Sequence, residues 1–254
     1  MPARIMVAIL ILAAIALAAF IVVRTSYIKA KIATLSAPPA IDFTDANRSL
    51  PPKGSKLRVV LIGDSRISRW PAPTIGDRFE VINRGMGGET SVQMAQRFDR
   101  DAIQLKPDVI IIQSGVNDLV AATFLDDAAS RAVTRQTAET LLRLTNEGAA
   151  SGAEVLLTTV IPAARPELLR LPVWRDSVRD AVTEVNDELR RSRLPNRAKL
   201  IDLSAAFARG DDRLLPDEFR LDAGHLNQAG YDRLRDVVLR NLPAVNGASA
   251  STSR

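Results

Sequence analysis

The only histidine in the chain, His225, lies in the segment LDAGHLN at residues 221–227. One histidine in a chain without cysteine cannot supply the ligands of a structural zinc site. An imidazole can instead accept the proton of a serine nucleophile if a carboxylate orients its ring. Asp222 lies three residues earlier, so a turn can direct its carboxylate at one ring nitrogen. The pair therefore predicts a base that needs a serine.

Other segments carry the remaining groups that such a reaction requires. Ser65 ends the segment GDS, and its hydroxyl becomes an effective nucleophile once a base removes the proton. Attack on an ester creates an oxyanion, which preorganised N–H donors stabilise. The backbone N–H groups of Ser65 and Gly88 and the side-chain amide of Asn117 can supply three donors. Glycine at positions 87 and 88 permits a positive φ and close backbone approach.

Each of these residues also has a purely structural interpretation. Ser65 could cap a helix, Asn117 could form a turn, and His225 could be exposed and idle. We interpret Asp64 and Asp118 as structural residues that hold loops through hydrogen bonds to the backbone. The catalytic interpretation is favoured because the single histidine follows an aspartate at a spacing that suits a base.

Five short apolar runs predict the strands that position these groups. The runs are mainly apolar and contain many β-branched residues, which is typical of parallel strands covered on both faces. The carboxyl ends of parallel strands meet at one edge of a sheet, so the polar segments that follow them are expected to lie together. The predicted strands span residues 57–63, 79–85, 108–115, 154–160 and 198–203.

Helical patterns alternate with the predicted strands. Thr90 and Gln93 have the spacing of a capping box, which predicts that a helix begins there. The alternation of strands and helices predicts a doubly wound α/β sandwich. Longer helices are predicted around residues 126–150, 173–193 and 227–241.

The four polar segments, in this order, resemble the motif blocks of the SGNH/GDSL hydrolase family of esterases and acyltransferases over about residues 57–241. The resemblance implies that Ser65 is the nucleophile and that Asp222 and His225 complete its triad. It also implies an oxyanion hole formed by Ser65, Gly88 and Asn117. The fold that it implies is a flavodoxin-like three-layer α/β/α sandwich with a five-stranded parallel sheet, in agreement with the strand count.

The chain departs from the commonest family motifs beside the reacting groups. Arg66 follows the serine where an apolar residue is frequent, and Glu89 stands where aspartate is frequent. We interpret Arg66, Trp70 and Trp174 as candidate substrate-binding residues, because they lie in segments that follow predicted strands. Tryptophan side chains suit an acyl chain, and the arginine suits an acidic group.

Three functional hypotheses follow. The leading one is a serine ester hydrolase with an acyl-enzyme mechanism, acting on acyl esters of lipids or envelope carbohydrates. The second is an acyltransferase or deacetylase that acts on an envelope glycan with the same triad. The third is a silent binding module, which is disfavoured because every reacting group is present. No metal or nucleotide cofactor is predicted, because the sequence has no ligand cluster, G-x-G-x-x-G segment or P-loop.

The first segment predicts an association with a membrane. Residues 5–23, IMVAILILAAIALAAFIVV, carry no charge, and a helix of this length approaches the ~30 Å thickness of the hydrocarbon core. We interpret residues 1–31 as an uncleaved transmembrane anchor. A cleaved signal peptide is the alternative, since residues 16–18 have the form A-x-A.

The orientation of this anchor is less clearly encoded. Arg24, Lys29 and Lys31 follow the apolar run and favour a cytoplasmic domain by the positive-inside rule. A short N-terminal tail is easily retained in the cytoplasm, and on this ground we expect a periplasmic or other extracytoplasmic domain.

The net charge of +5 does not predict a nucleic-acid partner. Four basic residues fall within the first 31 residues, which contain no acid, and the other 30 basic residues nearly balance 29 acidic ones. No basic run follows that segment, so nucleic-acid binding is not expected. Residues 32–56 contain four prolines and predict a tether, residues 57–245 form the predicted hydrolase domain, and residues 246–254 predict a disordered tail.

Overall fold

The computed structural model describes residues 3–71, 75–209 and 213–242. The predicted tail at residues 246–254 therefore lies outside the described residues. The α-helices of the described chain are α1 (Ala3–Ala33), α2 (Thr44–Arg48), α3 (Ser65–Ser68), α4 (Ser91–Asp101), α5 (Val116–Ala122), α6 (Asp127–Ala150), α7 (Ser177–Arg191), α8 (Leu203–Phe207) and α9 (Gln228–Asn241). Short 3-10 helices span Ile103–Leu105, Leu168–Val173 and Asp217–Phe219.

A parallel five-stranded sheet forms the centre of the described chain, as predicted. The strands follow the order β2-β1-β3-β4-β5, and each neighbouring pair is parallel. This is the flavodoxin-like order, in which the crevice opens between β1 and β3 at the carboxyl edge. The strands are β1 (Leu57–Gly63), β2 (Phe79–Gly85), β3 (Val109–Gln113), β4 (Glu154–Thr158) and β5 (Ala198–Ile201).

Helices cover both faces of this sheet, because successive side chains of a strand point to opposite faces. Val60 and Ile62 of β1 pack in a core with side chains of α4, α6 and α7. Val59 and Leu61 pack in a second core with side chains of α3, α8 and α9. The two cores give the three-layer sandwich that the sequence predicts, and they explain why the central strands β1, β3 and β4 are mainly apolar.

The predicted capping box is present at the beginning of α4. The hydroxyl oxygen of Thr90 accepts the Gln93 backbone N–H at 3.3 Å, and the Gln93 side chain accepts the Thr90 N–H at 3.0 Å. These bonds satisfy two otherwise unpaired N–H groups at the helix start. They also fix the chain that directly follows Gly88.

The helix α1 is long and apolar enough to cross a membrane, and the apolar window of its sequence is not buried by the rest of the chain. Its last turns nevertheless contact the globular part. Arg24 Nε donates to the Pro172 carbonyl at 3.0 Å, and the Tyr27 and Phe124 rings meet edge to face at 6.2 Å. The end of α1 is therefore packed against the domain.

The segment predicted as a tether, residues 32–56, also makes defined contacts with the domain. The side-chain amide of Gln93 donates to the Pro38 carbonyl at 2.9 Å, and that of Asn47 in α2 donates to Asp101 at 2.8 Å. These bonds hold the segment along α4. The segment therefore contacts the domain at Pro38 and Asn47.

Candidate active site

The loops at the carboxyl edge of the sheet surround a cavity of about 470 Å³. Ser65, Gly88, Asn117 and His225 all line this cavity. Four groups that are far apart in the sequence are thus brought together beside the β1–β3 crevice. Among the described residues, no cluster of three or more His, Cys, Asp or Glu side chains could hold a metal ion.

Ser65 reaches the cavity because the chain turns sharply from β1 into α3. A Cβ atom at Gly63 would lie 1.9 Å from the Gln113 carbonyl oxygen, so only glycine fits at this turn. Asp64 caps α3, with its side chain accepting the Arg66 N–H at 2.9 Å. Asp64 thus has the structural role inferred from the sequence.

His225 and Asp222 form a hydrogen-bonded pair in the loop before α9. His225 Nδ1 lies 2.8 Å from each carboxylate oxygen of Asp222. Asp222 Oδ1 also accepts the backbone N–H groups of Gly224 at 2.8 Å and His225 at 3.0 Å. The turn therefore fixes the carboxylate, and Nδ1 is engaged by it, so Nε2 is the ring nitrogen that remains for proton transfer.

The charge of Asp222 is stabilised by the same bonds. Partial burial raises the pKa of the Asp222 carboxyl, but the hydrogen bonds from His225 and Gly224 outweigh it and bring the pKa below its ordinary value. Asp222 is therefore a carboxylate at neutral pH. A negative charge at this position stabilises an imidazolium that forms during proton transfer.

The loop between β2 and α4 lines the cavity through Gly87 and Gly88. Gly88 has φ +76°, a conformation that glycine adopts without strain, as expected from the sequence. The side-chain amide of Asn117 donates one bond to the Glu89 carbonyl at 3.0 Å. An asparagine amide has two N–H groups, so the second remains for a ligand.

Buried acids hold this loop against α4 and α5. Asp118 accepts the Ser91 backbone N–H at 2.9 Å and the Ser91 hydroxyl at 2.6 Å, in keeping with its predicted structural role. Burial raises the pKa of Asp118 to about 6. Glu89 and Arg97 form a salt bridge whose side chains are almost fully buried. Burial raises the pKa of Glu89 to about 7, against the opposing effect of Arg97.

The prediction that Arg66 binds substrate is corrected by its position. Its side chain is fully buried, and the guanidinium donates to the carbonyls of Ile161 at 2.5 Å, Pro162 at 3.1 Å and Gly224 at 3.0 Å. The side chain joins the serine turn to the loop after β4 and to the loop that carries His225. It is a structural crosslink behind the cavity.

The two tryptophans predicted to bind substrate differ in whether they line the cavity. Trp70 is buried in the core on the α9 face of the sheet and does not line the cavity, so the prediction for it is also corrected. Trp174 lines the cavity, as predicted for a substrate-binding residue.

Two residues that line the cavity were not predicted from the sequence. Tyr27 and Lys31 were assigned only to the membrane anchor, yet both line the cavity. The change from apolar to polar residues after Val23 was the available signal.

Because Arg66 crosslinks three loops, Arg66→Met is expected to lower kcat for ester hydrolysis by about tenfold to a hundredfold with little change in KM. Small displacements of reacting groups have effects of this size. Steady-state kinetics on the folded protein measure the split between kcat and KM, and Arg66→Lys is expected to recover part of kcat.

A matched control is Arg58→Met at the opposite end of β1. Arg58 is also buried, and it binds Glu80 and the Leu105 carbonyl. Its loss should lower thermal stability and leave kcat of the folded protein unchanged. An equal fall of kcat in both variants would mean that Arg66 has no positioning role.

A serine and a hydrogen-bonded imidazole that line one cavity are groups that attack on an ester carbonyl requires. On this fold, the arrangement defines the class of carboxylic-ester hydrolases. More narrowly, the chain belongs to the GDSL-like lipase/acylhydrolase family, whose model matches residues 54–233.

Solved structures agree with this assignment. A lipase/acylhydrolase from Enterococcus faecalis is 25% identical, with a TM-score of 0.53, over 73% of this chain and 94% of that one. A GDSL-like lipase from Bacteroides thetaiotaomicron is 22% identical, with a TM-score of 0.65, over 78% and 94%. The second likeness shows the fold alone.

A curated relative is similar over a shorter stretch. The uncharacterized lipoprotein YqeF of Bacillus subtilis (strain 168) is 30% identical over 83 residues, which make up 33% of this chain and 33% of that protein. The matched stretch is thus about a third of the length of this relative.

Proposed function

We propose that the protein hydrolyses acyl esters through an acyl-enzyme formed on Ser65, with His225 as the base and Asp222 as its orienting carboxylate. The observation that carries this proposal is the His225–Asp222 pair, held at 2.8 Å, in a loop whose histidine lines the same cavity as Ser65. The carboxylate engages Nδ1, so Nε2 is available to the serine hydroxyl.

The reaction then proceeds in two matched halves. Ser65 Oγ attacks the ester carbonyl while its proton passes to His225 Nε2, and the same proton is then given to the departing alcohol. Water then attacks the acyl-enzyme carbonyl while His225 Nε2 takes its proton, and this proton passes to Ser65 Oγ as the acyl–oxygen bond breaks and the acid leaves. The backbone N–H groups of Ser65 and Gly88 and the free N–H of Asn117 stabilise the oxyanion in both halves.

The walls of the cavity favour an acyl chain. Apolar side chains from α5, from the end of the Leu168–Val173 helix and the residue that follows it, and from α7 line the cavity, namely Val116, Val120, Val173, Trp174 and Val178. With α1 as a membrane anchor, the substrate is a lipid or an envelope-carbohydrate ester at the membrane surface. The domain lies on the extracytoplasmic side in this proposal.

A chain-length series on the full protein in nonionic detergent tests this function. We expect kcat/KM for p-nitrophenyl esters to rise at least about tenfold from acetate to octanoate, because each buried methylene contributes up to ~0.8 kcal/mol. Release of p-nitrophenol measures the rate, with Ser65→Ala as the blank.

The chain-length series also tests for a deacetylase, and an added sugar acceptor tests for an acyltransferase. A rate that peaks at acetate and falls with length would contradict the acyl-chain assignment and favour a deacetylase. Acyl transfer to a sugar hydroxyl that outcompetes water would instead indicate an acyltransferase with the same triad.

A further inference from the structure

Four basic side chains line the cavity and come from separate parts of the chain. Lys31 belongs to α1, Arg69 follows α3, and Arg170 and Arg175 lie in and after the 3-10 helix before α7. No acidic side chain is among the described residues that line the cavity. The lining of the cavity that holds Ser65 therefore carries a net positive charge, and we call these four basic side chains the positive rim.

Most of this charge is not neutralised by the protein. Arg170 lies 3.4 Å from Glu167 and 4.0 Å from Asp222. Lys31, Arg69 and Arg175 form no ion pair with any residue in the described ranges. Like charges that share one rim repel each other, and an anionic ligand relieves this repulsion.

The helix α1 supplies one side of this rim at a fixed position. Tyr27 and Lys31 line the cavity, one turn apart, and Tyr27 is held by its edge-to-face contact with Phe124. The bond from Arg24 to the Pro172 carbonyl ties α1 to the Leu168–Val173 3-10 helix, which carries Arg170. Lys31 is partly buried there, while the nearby Lys29 is exposed and does not line the cavity.

We propose that Lys31, with Arg69 and Arg175, binds a phosphate or carboxylate group of the ester, so that the end of α1 is part of the substrate site. This inference rests on the proposed esterase function and specifies its substrate class. At 1.5 Å per residue, Lys31 lies about 12 Å along the helix from the end of the apolar run at Val23. The headgroup layer extends only ~5–8 Å beyond the hydrocarbon core, so Lys31 lies just outside it. A lipid phosphate and a water-soluble anionic ester would present the same chemistry to it.

Matched substrate pairs test the proposal on the full chain in nonionic detergent. 1-Oleoylglycerol 3-phosphate and 1-oleoylglycerol differ only in the phosphate, and their 1-butyryl counterparts form the water-soluble pair. We expect kcat/KM to be at least about tenfold higher with the phosphate, because charge-assisted hydrogen bonds from several cations act together. A higher kcat/KM with the phosphate in the oleoyl pair alone identifies a lipid substrate. A higher kcat/KM with the phosphate in both pairs identifies a soluble anionic ester.

Variants of α1 separate the site from general surface charge. The specificity ratio is kcat/KM for the phosphate ester divided by kcat/KM for the neutral ester. Lys31→Met is expected to lower this ratio by about tenfold, and Lys31→Arg is expected to retain it. Lys29→Met removes an identical charge two residues away and should leave the ratio unchanged. An equal ratio in the wild-type protein and Lys31→Met would overturn the proposal.

A binding measurement distinguishes this inference from the proposed function. Quenching of Trp174 fluorescence in Ser65→Ala reports binding of each member of a pair without turnover. Hydrolysis that persists in Ser65→Ala contradicts the triad. The ratio of the dissociation constants of the neutral and phosphate esters still shows whether the cavity prefers an anion. Serine-dependent hydrolysis of both substrates with equal binding would leave the esterase intact and refute the anionic site.

Discussion

Replacing Ser65 with alanine is expected to lower kcat for p-nitrophenyl butyrate by about 10⁶-fold at neutral pH. His225→Ala should cause a loss of similar size, because the serine cannot attack until its proton is removed. The double variant should be no slower than either single variant, since both residues act in one step. The proposed N–H donors remain in these variants, so a small rate above that in water should persist.

Release of p-nitrophenol and labelling by a serine-reactive fluorophosphonate check this result together. The wild-type protein should carry the label on Ser65, and Ser65→Ala should carry none. Ser68→Ala is the matched control, because its hydroxyl makes only a 3.3 Å bond to the Ser65 carbonyl. A Ser65→Ala protein that keeps more than about a hundredth of the activity would rule out the assigned nucleophile.

Asp222→Asn is expected to lower kcat by about 10⁴-fold with the loop geometry preserved. The amide can present an N–H group to His225 Nδ1, which favours the tautomer whose Nε2 carries the proton and cannot accept another. Kinetics at neutral pH measure the loss. Asp187→Asn, which removes a partly exposed acid paired with Arg190, should have no effect.

The pKa of Asp222 adds a second test of this variant. The folded-state pKa is lowered, so the charged form stabilises the fold above the ordinary aspartate pKa of about 3.9. This contribution is lost as the pH falls through the lowered folded-state value. The difference in thermal stability between wild type and Asp222→Asn should therefore shrink below about pH 4. A difference that stays constant from pH 7 to pH 3 would contradict the assigned charge.

The sheet and the convergence of the site could be predicted because both depend on local patterns. A strand buried on both faces must be apolar throughout, and the polar segments that follow β1, β2 and β3 must then meet at one edge. The order of Ser65, Gly88, Asn117 and His225 along the chain was enough to expect a common cavity.

The role of Arg66 could not be predicted, because it depends on carbonyls that are distant in sequence. The nearest of its three acceptors, the Ile161 carbonyl, is 95 residues away, and the Gly224 carbonyl is 158 residues away. An arginine after a catalytic serine has the same local pattern whether it points into the cavity or behind it. Only tertiary packing distinguishes the two cases.

The contacts of residues 32–56 were missed for a related reason. Prolines and small polar residues indicate the lack of regular structure, but they do not indicate whether an irregular chain packs against its neighbours. The bonds to Pro38 and Asn47 depend on acceptors and donors that α4 presents.

The packing of α1 against the domain affects how this protein can change during evolution. An anchor that only holds an enzyme at a membrane can be exchanged for another anchor at no cost to the chemistry. Here Tyr27 and Lys31 of α1 line the cavity, and Arg24 bonds to the Pro172 carbonyl. A replacement anchor, or a soluble form that begins at residue 32, would therefore have a wider and less basic cavity. In the proposed function, the same helix therefore sets both the location of the protein and the shape of its substrate site.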